Sequence, residues 1–148
     1  MLSKLDKALA LYKAKQNKEI EKIAEHIDKT AKFKQEYKIT EIAVIHPKYN
    51  LAKNSFEEMD FDVLVHYSNE EISKAIGNFP DGNLLSVEMY GDTFHVLVHP
   101  DYNEQKITVE TRYGSMTTKD HYSNKEITTD LLDEIITDNF DNIVSSYG

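Results

Sequence analysis

There is no cysteine in this chain, no tryptophan, a single arginine, three prolines and five glycines among 148 residues. Each scarcity excludes something. Without cysteine there is no disulfide framework, no Cys-ligated zinc and no thiol nucleophile. One arginine argues against sequence-specific DNA reading, where Arg-to-guanine contacts are commonest. Five scattered glycines build no phosphate loop, and neither G-x-S-x-G nor H-E-x-x-H occurs. No run approaches the roughly 18 apolar residues of a membrane helix. The opening MLSKLDKALALYKAKQ puts Lys4, Asp6 and Lys7 where a signal peptide would be apolar. The expectation is a cytoplasmic protein without membrane contact. Sixteen lysines against one arginine, with many Asn and Ile, match an AT-rich coding sequence and the cytosol of a bacterial host.

What is present fits a globular protein: 40% hydrophobic and 29% charged residues. The length suits one domain with an appended helix. Charge is divided unevenly. Residues 1–53 carry a net +5 and residues 54–148 a net −14, which together give −9. Such asymmetry speaks to partners rather than to fold. A body this acidic repels nucleic acid and attracts basic surfaces.

Residues 1–38 read as a Lys-rich amphipathic helix. Leu5, Leu9, Tyr12, Ile20, Ile23 and Ile27 keep mostly three- and four-residue spacing, interrupted at Gln16. The stretch Lys15–Lys18 suggests a bend, so one long helix and a helical hairpin both fit. The stripe exceeds what a small sheet covers, and a homodimer is expected through these six residues. Residues 39–148 read as an acidic α+β domain with an antiparallel sheet of about five to six strands. Ile39–His46 reads as a central strand, Met59–Tyr67 as an alternating one with Met59, Phe61, Val63 and Val65 on one face, and Leu84–His99 as a hairpin turning at Gly91-Asp92. Gln105–Thr118 reads as another, turning at Gly114-Ser115. The C-terminal segment reads as an amphipathic helix.

Two phrases recur. HYSNEEIS at 66–73 returns as HYSNKEIT at 121–128, and VIHPKYN at 44–50 returns as LVHPDYN at 97–103. The order and similar offsets suggest an internal ββα duplication, 39–78 and 92–140. Ser68 with Glu71, and Ser123 with Glu126, make S-x-x-E capping boxes, which explains a strand-to-helix corner written twice. Each HP pair ends a strand, because proline cannot donate to the ladder.

Six histidines, His26, His46, His66, His95, His99 and His121, supply no metal-ligand spacing. His95 and His99 stand some 13 Å apart on a strand. No metal and no cofactor is expected, and the chain reads as non-enzymatic. On the last helix Asp130, Glu134, Asp138 and Asp141 form a stripe opposite the apolar face, and its rise is similar to every second phosphate of a DNA strand. Asp60, Asp62 and Glu88 are further charges on the outer sheet face. In size and composition the chain resembles the small acidic inhibitors that phages and mobile elements direct against host nucleic-acid-binding enzymes, some anti-CRISPR and anti-restriction proteins among them. The expected function is therefore DNA mimicry against a basic, nucleic-acid-binding partner. One alternative is an assembly module acting through the N-terminal helix, and another is a His/carboxylate metal-dependent hydrolase.

Overall fold

No glycine or proline occurs before Pro47, so nothing in the first 46 residues breaks a helix. A computed structural model describes residues 3–67 and 82–147. Helix α1 runs unbroken over Lys4–Thr40. Its start is fixed by a reciprocal cap: Asp6 N donates to Ser3 Oγ (3.1 Å) and Ser3 N to Asp6 Oδ2 (3.4 Å). The expected bend at Lys15–Lys18 is absent, since Lys, Gln and Asn are all compatible with a helix interior. A π turn, Glu41–Ile45, leads directly into α2, His46–Glu58. Together they form one rod about 80 Å long.

The expected strand at Ile39–His46 is therefore helical. Its β-branched run suggested a strand, but buried Tyr37, Thr40, Ile45, Tyr49 and Ala52 keep helical spacing through it. The π turn has a local cause. Pro47 cannot donate to the carbonyl of Ala43 and its ring crowds that oxygen. A wider turn, in which His46 N donates to Glu41 O, carries the chain past the obstacle.

The sheet is a five-stranded antiparallel meander in the order β1 (Asp62–His66), β2 (Asn83–Met89), β3 (Asp92–Asp101), β4 (Lys106–Tyr113), β5 (Met116–Tyr122). The fold is α+β, with a C-terminal helix, α3, over Thr129–Tyr147. Met89 pairs with Asp92, so the β2–β3 turn is Tyr90-Gly91, one residue before its expected place, and both residues have positive φ (55° and 84°). Tyr113 pairs with Met116 across the expected Gly114-Ser115 turn, with Gly114 at φ 58°.

Helices α2 and α3 cover one sheet face. Leu85, Val87, Phe94, Val96, Ile107 and Val109 meet Ile45, Tyr49, Leu132, Ile136 and Ile143 there. Phe56 joins the layers, edge-on to Phe94 (6.1 Å) and tilted on Phe140 (5.6 Å). Phe61, Val63 and Val65 pack against this core as their alternation implied, whereas Met59 is exposed in the turn before β1.

One of the two recurring phrases, the pair at 44–50 and 97–103, does not occupy equivalent structure. VIHPKYN lies in the π turn and α2, while LVHPDYN lies in β3 and the turn after it. Lys48 sits on a helix and pairs with Asp133, whereas Asp101 folds the chain back by accepting from Asn103 N (3.1 Å) and Glu104 N (3.0 Å). The segment that would complete the first copy, with Ser68 and Glu71, falls outside the described residues.

Candidate interaction surface

Every residue from Lys4 to Lys29 is exposed, so about 40 Å of α1 projects beyond the body. Leu5, Leu9, Tyr12, Ile20, Ile23 and Ile27 are each between 51% and 67% exposed. At 100° per residue they and Gln16 lie on a single seam. Leu11 is off it. Phe33, Tyr37 and Thr40, which seat α1 against the body, lie about 90° around the helix from that seam. The body therefore neither covers the seam nor extends it. Within the seam, Gln16 Nε2 donates to Tyr12 Oη (3.1 Å).

The seven acidic residues singled out in the sequence do not share one surface. Asp130, Glu134, Asp138 and Asp141 are exposed along the side of α3 away from the core. Asp138 also lines a cleft against β5 with Asp120 and Asn142. Asp62 and Glu88 are paired neighbours on β1 and β2, on the opposite face of the sheet. They line a separate cleft with Glu57, Ser86 and His95. Asp60 has a structural task. It stands in the left-handed region (φ 63°) just past the end of α2, with Phe61 N donating to Phe56 O (3.1 Å) and Asp60 N to Glu57 O (3.0 Å). This is a Schellman motif in which Asp takes the place usual for Gly, and Phe61 packs on Phe56 (6.4 Å) as that motif favours.

Ser123 and Glu126 form a reciprocal capping box, with Ser123 N donating to Glu126 Oε1 (3.0 Å). Hydrogen bonds from the Ser123 backbone and hydroxyl hold the Glu126 carboxyl below its ordinary pKa. The box encloses a single 3-10 turn, Asn124–Glu126, rather than the long helix. Helix α3 is capped by Thr128, whose Oγ1 accepts from Leu131 N (3.1 Å).

A buried polar corner, which no motif announced, joins the π turn to the sheet. Tyr37 Oη donates to Val98 O (3.3 Å), so its oxygen accepts from Asn83 Nδ2 (2.9 Å). Glu41 Oε2 also accepts from Asn83 Nδ2 (2.9 Å). That leaves Asn83 Oδ1 facing His46 Nε2 (2.8 Å), which must donate. The Tyr67 ring lies against that of His46, tilted by 33° (3.9 Å), and its hydroxyl donates to Asn50 Oδ1 (3.1 Å). Burial, with Glu41 adding to it, pushes the Tyr37 hydroxyl far above its usual range. Burial raises the Tyr49 hydroxyl too, where it donates to Val96 O (2.9 Å).

The other sheet face holds a second polar group. Ser86, only 5% exposed, holds its Oγ 2.5 Å from His95 Nδ1 in the cleft that both residues line. Glu110, equally buried, accepts from Arg112 Nε (2.6 Å) and Lys119 Nζ (3.3 Å). Burial lowers the pKa of His95, aided by Arg112, and that of His99. His66 and His121 are on β1 and β5, the opposite edge strands. Among the described residues no group of three or more His, Cys, Asp or Glu could hold a metal ion, and no helix is long and apolar enough to cross a membrane.

No family model, curated protein or solved structure matches this chain.

Proposed function

We propose that this protein is an interaction module that acts in the cytosol through its projecting helix. One observation carries the reading: six large apolar side chains lie on one seam of a helix that its own body leaves bare. A helix without tertiary packing draws little stability from propensity alone, and an apolar stripe is the feature that packing normally uses. Scattered exposed apolar residues are ordinary, but an aligned row about 33 Å long is what an interface presents. Ile20→Glu with Ile23→Glu tests it. Neither residue touches the body, so thermal unfolding of the sheet should be unchanged. The wild-type full chain should elute from cell extract in a larger assembly and the double variant as a single chain. Identical elution of the two would remove the reading.

A specific observation favours a second surface. Asp130, Glu134, Asp138 and Asp141 form an exposed acidic stripe about 16 Å long, within residues 54–148 of net −14. In this reading α3 meets a basic, nucleic-acid-binding protein in a bacterial host, by charge mimicry and without catalysis. Changing all four to Asn or Gln should leave the fold intact and slow association at low salt, with the difference fading as salt rises. Equal association rates at low salt would sink the mimicry.

A further inference from the structure

The seam has a symmetry that names its partner. Its residues, Leu5, Leu9, Tyr12, Gln16, Ile20, Ile23 and Ile27, are spaced 4-3-4-4-3-4, which reads the same in both directions about Gln16. We propose that a second copy of this chain docks on the seam antiparallel, with a two-fold axis through Gln16. The proposal rests on the reading of the projecting helix as the interaction surface.

In this register each level holds two matched side chains: Leu5 with the second copy's Ile27, Leu9 with its Ile23, Tyr12 with its Ile20, and Gln16 with its counterpart. The polar pair at the centre disfavours slipped registers, as single polar residues do in coiled-coil seams. Six steps over 22 residues give a period near 3.67, so the two helices run nearly straight or with slight right-handed coiling.

Charge selects the orientation. Residues 4–15 carry a net +3 and residues 17–28 a net −2. Antiparallel docking brings each basic half level with an acidic one, Lys4 with Asp28, Lys7 with Glu25 and Lys13 with Glu19. Parallel docking would set +3 against +3. It would also bring the two acidic bodies to the same end, whereas antiparallel docking holds them about 40 Å apart, several Debye lengths at physiological salt. The product is a dumbbell that presents every body surface twice.

The absence of cysteine makes the test direct. Light scattering of the full chain at about 100 µM should give twice the single-chain mass. Under mild oxidation Gln16→Cys should cross-link to itself, because it sits on the axis. Leu5→Cys alone should not, since the two copies of residue 5 lie about 33 Å apart, far beyond disulfide reach. Leu5→Cys combined with Ile27→Cys should cross-link again. Self-cross-linking of Leu5→Cys as efficient as that of Gln16→Cys would mean a parallel pair and overturn the proposal. So would a single-chain mass. In that event, protein retained from extract by the wild type and lost with Ile20→Glu/Ile23→Glu would keep the seam as a surface for another partner. No difference between the two would remove the seam as well.

Discussion

Asn83 shows how much one side chain can organise. Its amide meets Tyr37, Glu41 and His46, and it is fully buried at the start of β2. Replacing it by Leu leaves two acceptors and a donor short of partners, at buried Tyr37 and at half-buried Glu41 and His46. Such groups cost about 1–3 kcal/mol apiece when orphaned, and networks fail together. Asn83→Leu should therefore lose more than about 2 kcal/mol in urea unfolding, whereas Tyr49→Phe, which removes the hydrogen bond from its hydroxyl to Val96 O, should lose about 1 kcal/mol. Equal losses would mean the corner is not a connected network. Asp60 teaches the complementary lesson. In the sequence it is one more surface acid, and only the backbone reveals that it occupies a left-handed position that Asp tolerates better than most residues. Ser3 and Asp6 were legible in principle, since S-x-x-D before an apolar periodic run is a helix start, yet the signal is short and easily passed over.

The elements themselves separate what periodicity carries from what it does not. The N-terminal helix, the β2–β3 and β4–β5 hairpins and the C-terminal helix all follow from spacing and turn chemistry. The stretch 39–46 does not, because Ile and Val serve a buried strand and a buried helix equally well. VIHPKYN and LVHPDYN make the same point with nearly the same letters in a helix and in a strand. The corner at 121–128 was readable as a capping box, but not as the cap of a single turn. The caps should accordingly differ in effect. Thr128→Ala removes the side-chain partner of Leu131 N at the start of α3 and should cost about 1 kcal/mol. Ser123→Ala frees a turn of three residues and should cost less by the same urea titration. A larger loss at Ser123 would show that the 3-10 turn, and not Thr128, anchors the C-terminal helix.

For the whole molecule, two half-buried histidines on the sheet face away from the helices set a dependence on pH. His95 and His99 both titrate below the ordinary value near 6.5 because burial disfavours their charged forms. The unfolded chain then binds more protons than the folded one once pH falls past that value, so stability declines from about 6.5 downward and levels off below the folded-state pKa values. The double variant His95→Asn/His99→Asn, in which Asn can stand in for the ring nitrogen facing Ser86, should lose less melting temperature than the wild type between about pH 7.5 and about pH 5.5. An undiminished drop would place the proton uptake elsewhere. The sequence by itself determined the fold class, the seam of α1 and the acidity of the body, because these depend on local periodicity and on charge counts that folding does not alter. Tertiary structure alone decided that 39–46 is helical, that the seven acids fall on separate surfaces, and that the body seats on α1 a quarter turn from the seam. Each of those depends on which faces meet, and a β-branched run or a list of charges carries no information about that until packing chooses.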